Sequence, residues 1–312
     1  MVKRILVVVT LALTQAVAAR ASTWQAPRVT LRLEGVSSSD LFPGDLRTGA
    51  DRGAAAVAST TTSVRLPAAL KLGLDAHAGG QAFMRFAEAD RYWMGTEASV
   101  RRRGSQLVAG GDWTPRRVKF PAEPRDAAFA RLDGRLGLRQ ALPANLRLRL
   151  DGQWIRDDYI ADFDARDGRD RYGEGQLAWQ ATPDLALRYA AGLGRATASD
   201  PRYTNEYHDA GGGIAWHGSQ WQLAASVRSG VRRYTQATPS VANYRRRDQW
   251  IETRAAVGRA LQAGLTAVAG AVFVDQSSSR LDRAYTVYTV RFGLEWRGSS
   301  DEYRDSGGRR EN

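Results

Sequence analysis

The sequence contains no cysteine and three histidines, His77, His208 and His217. The first absence excludes disulfide frameworks, thiol nucleophiles and thiolate metal centres. The second leaves little material for a histidine-based metal site or acid–base centre. Long apolar runs are lacking as well. After the first two dozen residues nothing approaches the roughly 20 consecutive apolar residues that a membrane-spanning helix needs, and the mean hydropathy is −0.43. A bundle of membrane helices is therefore excluded.

What is present begins with a leader. Lys3 and Arg4 precede a short apolar stretch over 5–12, and small residues follow with Ala-x-Ala sites at Ala16/Ala18 and Ala19/Ala21. Charge, apolar core and cleavage site in that order predict a signal peptide over 1–21 and an exported protein. The expected cleavage removes Lys3, Arg4 and Arg20 and no acid, leaving +9 of the chain's formal +12. In the cytoplasm such an excess would point to nucleic acid. For an exported chain it points instead to a surface or interior that meets anions, and nucleic acid is not an expected partner.

The rest of the chain alternates with period two, the signature of strands with one apolar and one polar face. Leu146, Leu148, Leu150 and Trp154 interleave with Arg147, Arg149, Asp151 and Gln153. The preceding strand sets Ala128, Ala130, Leu132, Leu136 and Leu138 against Arg131, Asp133, Arg135 and Arg139. Similar strands run through Leu70–Leu74, Leu185–Leu193, Trp221–Val227 and Val290–Trp296, while 264–274 is too uniformly small and apolar for its facing to be read. Short turns are expected near 67, 103–104, 141–143, 182–183, 218–219 and 260–262. Longer polar connections are expected around 35–49, 80–90, 114–124, 157–170, 197–205, 233–246 and 276–283.

Short turns alternating with long loops, and charges at mid-strand in strand after strand, predict a closed antiparallel transmembrane β-barrel over 22–297. About 14 strands fit, with 12 or 16 as alternatives, and a polar tail follows over 298–312. A soluble sandwich or propeller would not carry so many charges on one face and so much Ala and Gly on the other. The register is steep in energy. Turning Arg147 and Arg149 toward mid-bilayer lipid would cost about 2–4 kcal/mol each. Tryptophan supplies an independent check: Trp179, Trp216, Trp221 and Trp296 lie on the apolar face beside short turns or at the final strand end. Trp113 and Trp154 lie on the same face at opposite strand ends. Two such bands read as aromatic girdles at the two membrane surfaces.

The closing segment, Tyr285 to Trp296 with its alternating Val290, Phe292, Leu294 and Trp296, resembles the last strand of porin-like outer-membrane β-barrels, and the likeness covers 22–297. Arg247-Asp248 ahead of Trp250 is also similar to hairpins in the barrel portions of exopolysaccharide exporters. The resemblance implies the outer membrane of a Gram-negative bacterium, contact with its lipid and lipopolysaccharide, assembly by the barrel-insertion machinery, and no cofactor.

Function is then expected in the lumen. Inward positions by this register include Arg32, Lys71, Arg101, Arg131, Arg135, Arg139, Arg147, Arg149, Arg188, Arg228, Arg254 and Arg291, with Glu34, Asp75, Glu97, Asp133, Asp151, Glu174, Glu252 and Glu295. A basic excess on a pore wall favours anionic or saccharide-type solutes, because rings of Arg and Lys set anion preference. Two alternatives stand beside this channel: an export conduit for a polymer, and a barrel whose Arg–acid pairs fill the interior. A hydrolase is a weaker alternative, resting on His208-Asp209 near the outer rim with acids of the 157–170 loop. His77 reads as a lumen hydrogen-bonder. The run Asp157, Asp158, Asp162, Asp164, Asp167, Asp170 misses calcium-loop spacing and is interleaved with Arg156, Arg166 and Arg169, so a solvated loop is expected and no metal. Arg232, Arg233, Arg245, Arg246 and Arg247 are expected to form an exposed basic loop, open to lipopolysaccharide phosphates, although a charge cluster on an exposed loop is usually no more than that.

Overall fold

The computed structural model describes residues 25, 27–39, 50–86, 90–118, 128–159, 161–237, 245–262, 264–279 and 283–299. The expected leader and all but the first two residues of the expected tail lie outside them. Alternating sequence becomes strand after strand: β1 Arg28–Ser38, β2 Asp51–Leu66, β3 Leu70–Phe83, β4 Arg91–Arg102, β5 Ser105–Val118, β6 Ala128–Ala141 and β7 Leu146–Tyr159. The second half comprises β8 Gly168–Gln180, β9 Leu185–Ala198, β10 Asn205–His217, β11 Trp221–Ala237, β12 Arg245–Gln262, β13 Leu265–Ser278 and β14 Tyr285–Ser299. Each strand pairs antiparallel with its chain neighbours, and β1 closes on β14 from Arg28 opposite Ser299 to Ser38 opposite Thr289. Closure removes both sheet edges, which is what allows a sheet to exist in lipid. Among the described residues no helix is long and apolar enough to cross a membrane.

Five short turns fall where the sequence placed them, and the sixth, expected at 260–262, comes just after Gln262; all share one end of the barrel with Arg28 and Ser299, where β1 begins and β14 ends. Three of them put non-glycine residues at positive φ: Ala68 and Ala69 in one, Arg103 in the next, and Ala144 and Asn145 in the third. In outer-membrane barrels the short-turn end is periplasmic, and by that rule Arg28 and Ser299 lie at the periplasmic end.

The long connections are shorter than expected. Strands run 11 to 18 residues, beyond the 9–11 or so that a tilted strand needs to span hydrocarbon, and the surplus lies at the long-loop end. There the outward residues turn polar because they have risen above the lipid, and this polarity made strand ends read as loop. Asp157 and Asp158 belong to β7 and Asp170 to β8. The expected basic loop is likewise strand: Arg232 and Arg233 lie on β11, and Arg245, Arg246 and Arg247 on β12. At the other end, β14 runs past Trp296 into the expected tail.

The two faces are inverted relative to a soluble β-protein. Outward Leu136, Leu193 and Phe292 are 65%, 72% and 62% exposed, whereas inward Glu34, Asp209 and Asp248 are buried. Lipid is the solvent that makes such an exterior favourable. In 264–274, pairing decides what the pattern could not. Val274 faces Glu252 across the inner wall, so Val268, Gly270, Val272 and Val274 point inward and Ala267, Ala269, Ala271 and Phe273 point outward.

Candidate functional site

Every inward position expected from the sequence lies on the inner wall by strand pairing, and all six girdle tryptophans lie on the outer one. Trp179, Trp216, Trp221 and Trp296 sit toward the short-turn end. Trp113 and Trp154 sit farther along their strands toward the long connections, opposite Leu132 and Gly134 respectively. The remaining described tryptophans depart from this scheme. Trp93 and Trp250 point inward, over Gly79 and Gly230, where an added Cβ would strike the indole.

At the periplasmic end of β2–β7 the inner wall carries a row of bases. Pairing sets Arg65 opposite Lys71, Lys71 opposite Arg101, Arg101 opposite Gln106, Gln106 opposite Arg139 and Arg139 opposite Arg149. Arg101 Nη2 donates to Gln106 Oε1 at 2.9 Å, and Arg149 is paired with Asp151. Among the described residues Arg65, Lys71, Arg101, Arg147 and Arg188 face the lumen with no ion-pair partner.

One layer farther in, charges are paired. On one wall Arg135 meets Glu97 at 2.9 Å, with Arg139 at 3.8 Å from the same carboxylate. His77 bridges Asp112 and Asp75, the latter at 3.5 Å, and Thr61 donates to Asp75 at 2.6 Å. Gln153 donates to Asp133 at 2.5 Å. Near the seam, Arg32 bonds Glu34 at 2.5 Å and approaches Glu295 at 3.8 Å. Arg291 lies 3.6 Å from Glu34, and Arg254 bonds Glu252 at 2.6 Å.

On the opposite wall Arg228 reaches two acids, with Nε donating to Asp209 at 2.8 Å and Nη2 to Glu174 at 2.6 Å. Tyr172 donates to Asp209 at 3.1 Å, and Tyr207 donates to Asp170 at 2.8 Å. The two rings stack 5.7 Å apart and 11° from parallel. They lie flat because β9 presents Gly192 beneath Tyr172 and Gly194 beneath Tyr207, where any Cβ would collide with the rings.

Toward the extracellular end a cavity of about 290 Å³ is lined by Arg131, Asp157, Tyr159, Arg232, Tyr234, Arg246 and Tyr285, among others. Its arginines are largely committed. Arg131 makes two bonds of 2.7 Å to Asp157, and Arg246 bonds Asp248 at 2.8 and 2.6 Å while lying 4.5 Å over Tyr234. Arg232 lies 5.4 Å over Tyr207. Of the five arginines expected to meet lipopolysaccharide together, Arg232 and Arg246 thus face the lumen, and strand alternation sends Arg233 and Arg247 to the outer face.

The His208-Asp209 constellation is taken apart by the same alternation. Asp209 points inward to Arg228, while His208 points outward between Leu193 and Val231, so no shared water is in reach. Among the described residues no group of three His, Asp or Glu side chains could hold a metal ion. The sequence reading missed Asp112, Tyr172, Tyr207 and Tyr234, and it named Asp209, Arg232 and Arg246 without placing them on the inner wall. Carrying each strand's alternation into its polar end would have found most of them.

No family model matches the sequence, and no curated protein is similar to it in sequence. Among solved structures, the in-vitro folded outer-membrane protein OmpT of Vibrio cholerae superimposes with a TM-score of 0.53 at 9% identity, covering 90% of this chain and 99% of that one. The outer-membrane expressed form of OmpT gives 0.50 at 9% identity over 89% and 99%. An anion-selective porin from Comamonas acidovorans gives 0.48 at 6% identity over 88% and 100%. The fold is that of an outer-membrane β-barrel.

Proposed function

We propose that this outer-membrane barrel is a porin-like channel for small hydrophilic solutes of anionic or saccharide type. One observation carries the reading. Charged side chains on the inner wall stand in open space: Arg254 is 62% exposed, Arg32 42% and Arg149 41%. A filled barrel would bury them in mutual pairs, whereas a water-filled lumen leaves one flank of each free. Fourteen strands are also wider than the roughly eight whose interior side chains alone can fill. The unpaired bases supply the sign of the selectivity, since fixed positive charge concentrates anions and repels cations within a Debye length of about 8–10 Å at physiological salt. The Tyr172 and Tyr207 hydroxyls, with Asp209, Glu174 and Arg228 beside them, offer a sugar hydrogen-bonding partners for its hydroxyls.

Purified protein inserted in planar bilayers under a KCl gradient tests the reading. Stable conductance with a zero-current potential of the anion-selective sign is expected. Absence of channels, or a cation-selective sign, overturns it.

A further inference from the structure

The row of bases at the periplasmic end is arranged as stability alone would not arrange it. Like charges directly opposite one another on neighbouring strands repel, yet Lys71 has Arg65 on one side and Arg101 on the other. No acid interrupts the row between Arg65 and Arg149. Two carboxylates reach its far members, Glu97 near Arg139 and Asp151 on Arg149, while Asp75 is engaged by His77 and Thr61, so Arg65, Lys71 and Arg101 are left without an acid among the described residues. Gln106 is the neutral member, and it holds Arg101 in place.

The facing wall differs. Near the same end, β8–β12 present Ala178, Ala186, Gly213, Ala215, Ala224 and Ala256 inward. Arg188, between Ala178 and Gly213, is the one base among them, so one side of the mouth carries the row of charge and the other is mostly small and neutral, which leaves room beside the bases. Bases on successive strands stand about 4.8 Å apart, a spacing that suits several anionic groups on one extended molecule better than a single ion.

We propose that Arg65, Lys71 and Arg101 form a binding site at the periplasmic mouth for an extended molecule bearing several carboxylates or phosphates, and that this site sets the anion preference of the channel. The proposal rests on the channel reading for the second statement only. Binding requires the folded barrel, whether or not it conducts.

The test uses the full barrel in detergent and in planar bilayers, with tripolyphosphate and trigalacturonate as the phosphate and carboxylate probes. The variant is Arg65→Gln/Lys71→Gln/Arg101→Gln, which strands no acid. The control is Arg195→Gln/Glu206→Gln, which removes an exposed pair on the outer face without changing net charge. Heat-modifiable gel mobility confirms that each is folded. By calorimetry at low ionic strength the wild type and the control are expected to bind at least one probe, and the triple variant about tenfold more weakly, as the loss of several screened ion contacts implies. In bilayers the probe is expected to block from the periplasmic side at lower concentration than from the other, and the triple variant to lose most of its anion preference. Binding without conductance removes the channel reading and keeps the site. Conductance without binding of either probe, or binding and selectivity unchanged in the triple variant, overturns the site and leaves the channel reading standing.

Discussion

The two halves of the lumen handle charge in opposite ways. From the middle of the barrel to the extracellular cavity nearly every base has an acid within bonding distance, and the paired arginines lie over aromatic rings: Arg228, with Asp209 and Glu174, over Tyr172, and Arg246, with Asp248, over Tyr234. At the periplasmic rim Arg65, Lys71, Arg101, Arg147 and Arg188 have none among the described residues. The inner half spends its charges on holding the wall together, and the rim leaves its charges available to whatever passes. Burial explains the division. Asp209 and Asp248 are 8% and 1% exposed, and a carboxylate so far from water must be paired. The rim bases stand in the open and need no partner to stay ionised.

That contrast predicts a large gap between two superficially similar substitutions. Arg228→Met leaves Asp209 and Glu174 without their cation and should cost about 3–5 kcal/mol, the usual penalty for breaking one side of a buried pair. Arg101→Gln should stay within about 0.5 kcal/mol of wild type, as exposed sites do. Urea unfolding of the barrel in micelles measures both; equal losses would erase the distinction.

The contrast also presupposes the register, which a somewhat smaller effect examines. Leu150→Arg, on the outer face of β7, should destabilise by about 2–4 kcal/mol. In intact membranes a cysteine replacing Arg149 should react with a water-soluble maleimide while one replacing Leu148 is protected. Reaction at both would mean that this wall is not embedded in lipid.

Tyr172→Phe sharpens the picture of the paired half. It removes the hydroxyl that donates to Asp209 but keeps the ring on Gly192, so a loss of about 1 kcal/mol is expected. Gly192→Ala should instead displace the ring, seen as a change in near-ultraviolet circular dichroism that Tyr172→Phe does not share.

The weakest effect lies outside the lumen altogether. Asp200, at the start of the short turn Pro201–Tyr203, accepts from Arg202, and these hydrogen bonds hold its carboxyl below the ordinary range. A depressed folded-state value means that the turn is supported at neutral pH and loses that support as pH falls through the lowered value. Proteolysis of this loop should therefore accelerate in acid, and Asp200→Asn should show the faster cleavage already at neutral pH, with the melting temperature of the barrel unchanged.

How much was legible depended on where the solvent changed. Within the hydrocarbon, water on one side and lipid on the other force strict alternation, so Leu146–Leu150 and Arg147–Arg149 declared their faces at once. Above it both faces meet water, the alternation loses contrast, and β7, β8, β11 and β12 were read as loops some residues too soon. The same loss merged Arg232, Arg233, Arg246 and Arg247 into one basic patch and joined His208 to Asp209, although side chains adjacent in a strand cannot share a face. In 264–274 the residues are too alike for either face to announce itself, and hydrogen-bonded partners on β12 and β14 assigned them.

Sequence by itself determined the architecture, because alternation, turn chemistry and tryptophan placement are each local, and a barrel repeats one local unit around a ring. Only the tertiary structure decided which charges meet. Cross-strand register joins residues dozens of positions apart, and it alone separates Arg228, clamped between two acids, from Lys71, flanked by two arginines.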